Sequence, residues 1–258
     1  MSNYVLECED LGIVFGGLAA VDKFNIQVAP REVAGLIGPN GAGKTTVFNL
    51  LTKVYEPTSG TIKLNGVDTK GQTTVSLSKA GIARTFQNIR LFGNLSVADN
   101  VIAAMNQSMK YSLFESTFRL PRYWKEEKAA RAKALELLSI FDMQDLADVK
   151  SSSLPYGAQR RLEITRALAT EPSLLLLDEP AAGMNPAETA ELMENIGKIR
   201  DTFGIAILLI EHDMSLVMGV CDKITVLNFG QVIAYGTPAE IQSNPVVIEA
   251  YLGKKKEG

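Results

Sequence analysis

The 258 residues carry 26 Lys and Arg against 29 Asp and Glu, a formal charge of -3, so the global balance argues against a nucleic-acid surface and any phosphate ligand has to be held by local geometry. At 46% hydrophobic and 21% charged residues, the chain can build a full core, as one large domain or as a domain with a smaller companion. No apolar run approaches the roughly 18 to 20 residues that cross a bilayer, the acidic start has no secretory h-region, and two distant cysteines, Cys8 and Cys221, fit buried thiols in a reducing compartment.

Along the chain, VLECEDLGIVF, FNIQVA and GTIKLNG are strand-like pieces separated by Gly, Pro and Asn, which predict an antiparallel sheet in the first hundred residues. VAGLIG (33–38), LLLLD (174–178) and IAILLIE (205–211) are short, nearly continuous apolar runs, the pattern of parallel strands covered on both faces by helices. From Ser96 to about Ser153 the pattern is helical: SVADNVIAAM starts behind a Ser cap, and KEEKAARAKALELLSIF combines strong helix formers with apolar residues at helical spacing. DKITVLNFGQVIAYG then reads as a hairpin turning near Asn228 to Gly230, and TPAEIQSNPVVIEAYLGKKKEG as one or two short helices with a basic, frayed end.

The stretch GPNGAGKTT fits G-x-x-x-x-G-K-[ST], with Gly38, Pro39, Asn40, Gly41, Ala42, Gly43, Lys44, Thr45 and Thr46 in order. Small residues let consecutive backbone N–H groups curl around phosphates, and the helix that follows aims its positive end at them. Lys44 is placed to reach the β and γ phosphates and Thr45 to ligate magnesium. A plain glycine turn is the competing reading, but an apolar strand before the motif and VFNLLTKV after it supply the context that a phosphate loop requires.

The expected fold class is therefore α/β. It comprises a P-loop NTPase core with an antiparallel β subdomain over residues 1–87 and 160–237, an inserted helical subdomain over 88–159, and a helical tail over 238–258.

LLLLDEP puts Asp178 and Glu179 at the carboxyl end of a buried strand, where open α/β sheets place ligand chemistry. Asp178 can hold magnesium through water, and Glu179 can polarise a water for in-line attack on the γ-phosphate. His212, the single histidine, ends the third apolar run, where an imidazole can meet the γ-phosphate and the attacking water; a lone histidine can equally be a core or cap residue. Gln87, in RTFQNIRLF, is a magnesium ligand and occupancy sensor or a surface glutamine at a turn, and the residues alone leave that open.

Taken in order, the P-loop, LPYGAQ ahead of RRLEITRAL, LLLLDEP and His212 resemble the ATP-binding subunits of ABC transporters over essentially the whole chain. That resemblance implies ATP and magnesium as cofactors and a head-to-tail pair of ATPase subunits. In such a pair a loop of usual sequence LSGGQ caps the ATP held by the partner. LPYGAQ, Leu154, Pro155, Tyr156, Gly157, Ala158 and Gln159, falls at that position. Pro155 stands where the family has serine and offers neither a hydroxyl nor an N–H, Tyr156 replaces a glycine, and Ala158 replaces the glutamine. The departure suits the weaker of two unequal sites, and so a heterodimer.

The same resemblance implies that Phe15 stacks on adenine, although it could also be core, and that Gln87 is the magnesium and coupling glutamine. It further implies that AGMNP is the interface loop, with Asn185 for the usual aspartate.

GIARTFQNIRLFGNLSVADNV, the insert around NQSMKYSLFESTFRLPRYWKEE, DEPAAGMNP and the ending NPVVIEAYLG look most like the Liv-type subunits of branched-chain amino acid importers. Urea-type importers and the lipopolysaccharide export ATPase share much of this. The likeness implies a second ATPase, two transmembrane permease subunits and an extracytoplasmic substrate-binding protein, with this chain peripheral on the cytoplasmic face of the membrane and no nucleic-acid partner. A P-loop kinase shares only GPNGAGKTT. A soluble ABC protein acting on nucleic acid usually carries a long coiled-coil insertion or two ATPase units in one chain, and neither is present.

Overall fold

A computed structural model describes residues 3–105, 117–118 and 120–252. Most of the insert's NQSMKYSLFESTF segment and the basic KKKEG end lie outside the described residues.

Strands β1 (Leu6–Phe15), β2 (Leu18–Val28), β4 (Ser59–Leu64) and β5 (Val67–Asp68) form a four-stranded sheet in the order β2-β1-β4-β5. Every pairing in it is antiparallel, as the early strand-like pieces predict.

The second sheet is built from β3 (Val33–Ile37), β6 (Ile82–Arg84), β7 (Leu174–Asp178), β8 (Ala206–Ile210), β9 (Lys223–Asn228) and β10 (Gln231–Gly236), in the order β10-β9-β3-β8-β7-β6. All of its pairings are parallel except the β9–β10 hairpin. The three apolar runs are thus its central strands. Two features go beyond the sequence reading: β6 is a three-residue strand too short to show a period, and β9 pairs in parallel with β3 as well as with its hairpin mate.

The β7 and β8 side chains alternate between two hydrophobic clusters. Leu175, Leu177, Ile207 and Leu209 face a helical layer. It comprises α3 (Val97–Ala104), α4 (Pro121–Leu138), α5 (Tyr156–Leu168), α6 (Pro186–Phe203) and α7 (Met214–Val220). Leu174, Leu176, Ala206 and Leu208 face α1 (Lys44–Leu51) and the antiparallel sheet. This two-sided burial is why the runs lack polar alternation.

Ser96 caps α3 by accepting from the Asp99 N–H at 3.0 Å, and Pro121 occupies the first turn of α4. Helix α2 (Thr74–Ala80) precedes β6, and α8 (Pro238–Gln242) and α9 (Pro245–Leu252) form the tail. Both cysteines are buried; desolvation pushes the Cys221 thiol up to about 12 and the Cys8 thiol higher still.

Candidate nucleotide site

β3, β7 and β8 run in the same direction, so the P-loop, Asp178 with Glu179, and His212 all emerge at one edge of the sheet. The P-loop is pressed between neighbouring backbones. A Cβ on Gly38 would lie 2.0 Å from the Leu227 carbonyl oxygen, and one on Gly43, at φ 106°, would lie 2.8 Å from the Ala20 carbonyl oxygen. Only glycine fits at either position. Gly230 N–H donates to the Ala42 carbonyl at 2.9 Å and fastens the loop to the β9–β10 turn.

Helix α1 starts at Lys44 with no side-chain cap on its first turn, which leaves its leading N–H groups to an anion. Lys44 is buried, and its Nζ donates to the Gly38 and Pro39 carbonyls at 2.6 and 3.1 Å. Burial pulls its ammonium below the ordinary lysine value, while Glu179 and Asp178 pull the other way. Asn40, Gly41, Ala42, Thr45 and Thr46 join Leu18, Glu179, His212 and Phe229 around an open cavity of about 460 Å³.

Asp178 is buried, and its Oδ2 accepts from Arg84 Nη2 at 2.8 Å. Glu179 is partly buried in the left-handed region at φ 48°, a conformation costing on the order of 1 to 3 kcal/mol that surrounding structure must hold. Its N–H donates to Ile210 O at 2.9 Å, and both carboxylate oxygens are engaged. His212 Nε2 lies 2.5 Å from Oε1, and Gln87 Nε2 donates to Oε2 at 2.7 Å. Three positions read separately in the sequence thus meet as one cluster. The imidazole is about half exposed, so His212 is not a core residue.

Oxygen donors suited to a hard divalent cation are present. Thr45 is exposed at the head of α1, with no hydrogen bond to its hydroxyl among the described residues; Asp178 keeps Oδ1, and Gln87 keeps its amide carbonyl.

Phe15 ends β1 half exposed, edge-on to Tyr55 with ring centroids 5.2 Å apart. It is not core, and it lies outside the lining of the P-loop cavity. The LPYGAQ residues do not line that cavity either. Pro155 precedes α5, Gln159 Nε2 turns back to the Leu154 carbonyl at 2.9 Å, and Leu154, Gly157 and Ala158 are buried while Tyr156 is exposed. Tyr156 flanks Gly183, and Glu188 flanks Gly157. Asn185 caps α6 by accepting from the Ala187 and Glu188 N–H groups at 2.9 and 3.0 Å, a task aspartate performs equally well.

Three buried charges, Glu211, Arg160 and Glu163, were not anticipated. Glu211, read only as the end of an apolar run, accepts from the Ala181 N–H at 2.7 Å and the His212 N–H at 2.9 Å, joining the loops that follow β7 and β8. Glu211→Ala strands these donors and is expected to cost about 2 to 3 kcal/mol in denaturant unfolding; a change below about 0.5 kcal/mol would show that the loops hold without it. Arg160 is fully buried. Its guanidinium donates to the Phe86 and Gln87 carbonyls at 2.5 and 2.7 Å and to Glu163 at 2.8 Å, so α5 grips the backbone that carries Gln87. The two charged residues at helical spacing were the available signal, but adjacent arginines do not reveal which one turns inward.

A phosphate loop, a strand-end acid pair and a histidine on one sheet edge, beside an inserted helical layer, define an ATP-binding cassette. The chain belongs to the ABC transporter family, whose model matches residues 21–182, and it is a transporter ATPase that works with membrane permeases. A second model, for the branched-chain amino acid ATP-binding cassette transporter, matches residues 231–257.

The chain is 46% identical to the high-affinity branched-chain amino acid transport ATP-binding protein LivG of Escherichia coli (strain K12), over 98% of this chain and all of the relative. It is 44% identical to BraF of Pseudomonas aeruginosa, which carries the same description, with the same coverage. The crystal structure of the ADP conformation of MJ1267, an ATP-binding cassette of an ABC transporter, superposes with a TM-score of 0.84 at 30% identity, covering 98% of this chain and all of that one. No helix among the described residues is long and apolar enough to cross a membrane.

Proposed function

We propose that this chain is the ATP-hydrolysing subunit of an importer of branched-chain amino acids, bound peripherally at the cytoplasmic face of the membrane. The observation that carries the hydrolytic reading is Glu179, held between Gln87 and His212 at the mouth of the P-loop cavity. The likeness to named importer subunits along the whole chain, tail included, supports the cargo.

In this reading backbone N–H groups between Asn40 and Thr46 cradle the phosphates, Lys44 meets the β and γ oxygens, and Phe15 stacks on adenine. Thr45, Asp178 and the Gln87 carbonyl hold magnesium, which neutralises phosphate charge. Glu179 takes the proton of the attacking water, and His212 orients that water against the γ-phosphate.

LPYGAQ, on the head of a helix, supplies the trans half of a site on a second, different ATPase. Closure of that pair rotates the helical segment 88–159 and moves two permease subunits, which receive cargo from an extracytoplasmic binding protein.

Gly157→Leu is expected to weaken ATP-dependent association with the second ATPase at least tenfold, because Gly157 is buried and its new Cβ would stand 2.6 Å from Glu188 Oε1, which forces the LPYGAQ loop out of place. Analytical ultracentrifugation with and without ATP reads this, and unchanged association would remove the loop from the interface. The whole assembly is tested by purifying the tagged chain from gently solubilised native membranes and identifying its companions by mass spectrometry. Two multi-span proteins and a second ATPase with an LSGGQ-like loop are expected. Recovery alone or with nucleic acid would overturn the transporter reading.

A further inference from the structure

We propose that Arg84 is a positioning residue for the magnesium-side acid: it fixes one oxygen of Asp178 and presents the other to the nucleotide's metal. The inference rests on the reading of Asp178 given above.

Arg84 ends β6, three residues before Gln87, and pairs with Asp178 at 2.8 Å, with side-chain exposures of 8% and 5%. Its other terminal nitrogen donates to Asn49 Oδ1 at 2.8 Å and Thr52 Oγ1 at 3.4 Å, both on or just after α1. The guanidinium lies over the Phe48 ring at 5.5 Å and the Phe86 ring at 5.3 Å. One planar cation therefore ties the P-loop helix, the strand that ends in Asp178 and the segment leading to Gln87.

Isolated buried ion pairs contribute little net stability, so fold alone is a weak reason for this one. Its geometry does more for the carboxylate. Arg84 occupies Oδ2, whereas Oδ1 accepts no hydrogen bond among the described residues. With one oxygen held from behind and Asn49 and Thr52 fixing the fork, the acid is locked in a single rotamer, the preorganisation a water-mediated metal contact requires.

Arg84 also lines a groove of about 550 Å³ with Phe86, Arg90, Phe92, Glu163 and Arg166. Displacement of Phe86 from that side bears directly on the guanidinium. A lysine in its place keeps the charge but loses the fork.

The test is equilibrium binding of N-methylanthraniloyl-ADP to the full chain, with magnesium and with EDTA, for the wild type, Arg84→Met, Arg84→Lys, Asp178→Asn and the Arg84→Met/Asp178→Asn double variant. The expected result is that Arg84→Met loses at least tenfold of the magnesium-dependent gain in affinity while its affinity in EDTA stays within twofold. Arg84→Lys should recover only part of the gain, and Arg84→Met should change nothing further in the Asp178→Asn background.

If Arg84→Met is too unstable to assay, the comparison of Asp178→Asn with the double variant, which buries no unpaired carboxylate, decides the question alone. A further loss of magnesium dependence there overturns the proposal. So does an Arg84→Met variant that keeps the full magnesium gain or weakens binding equally in EDTA. An Asp178→Asn variant that itself keeps the full gain overturns both this inference and the role given to Asp178, whereas sensitivity to Asp178→Asn without sensitivity to Arg84→Met overturns the inference only.

Discussion

Glu179→Gln is expected to leave ATP binding within twofold of the wild type and to lower turnover of the assembled transporter at least a hundredfold, within the ~10² to 10⁴ range for loss of a general base. The substitution is isosteric, and the residue's backbone is fixed independently of its carboxylate by the N–H bond to the carbonyl of Ile210 at the end of β8, so the cavity survives. What disappears is the proposed proton acceptor. The resting carboxylate is engaged on both oxygens, by His212 at 2.5 Å and Gln87 at 2.7 Å. Phosphate release and nucleotide binding measured on the same preparation separate the two effects; undiminished turnover assigns the base to another group.

Gly38→Ala is expected to abolish detectable ATP binding and to destabilise the fold by about 3 kcal/mol, the upper range for forcing extra volume into a packed site. The added methyl carbon would stand 2.0 Å from a backbone carbonyl, Leu227 O, and 3.1 Å from the Ala42 side chain. A backbone oxygen cannot swing aside as a flexible side chain can, so either β9 moves away from β3 or the P-loop opens. Gly38 O also accepts from Lys44 Nζ at 2.6 Å, and the same displacement therefore misplaces the lysine. Calorimetric titration with ATP, together with urea unfolding, reads both consequences. Normal binding in this variant would show that the loop does not need the tight β9 contact.

The chemistry that was legible in the sequence is the part fixed locally. Gly38 to Thr46 carry their geometry in their own spacing, and VAGLI, LLLLD and AILLI announce buried parallel strands because helices or a sheet cover both faces. Ser96 and the helix formers of α4 were readable for the same reason, as propensity and capping act over a few residues.

What was not legible depends on partners far away in the chain. Arg160 finds its acceptors at Phe86 and Gln87, Arg84 finds Asp178, and Glu211 finds the Ala181 N–H. None of these pairings leaves a periodic trace, so a charged residue destined for the interior reads as one destined for solvent. The β6 strand was missed because three residues cannot show a period, and its role comes from pairing with β7. LPYGAQ was visible as an irregular helix start, but the use proposed for it depends on a second chain.

In the proposed function, hydrolysis at this site drives amino acid uptake. Its most direct test is ATP-dependent accumulation of radiolabelled leucine, isoleucine and valine by proteoliposomes holding the complex purified from native membranes, with either wild-type chain or Glu179→Gln. Concentrative, binding-protein-dependent uptake of all three is expected, falling to background with Glu179→Gln. Uptake undiminished by the substitution, or a complex that hydrolyses ATP yet moves none of the three, would contradict the proposed function.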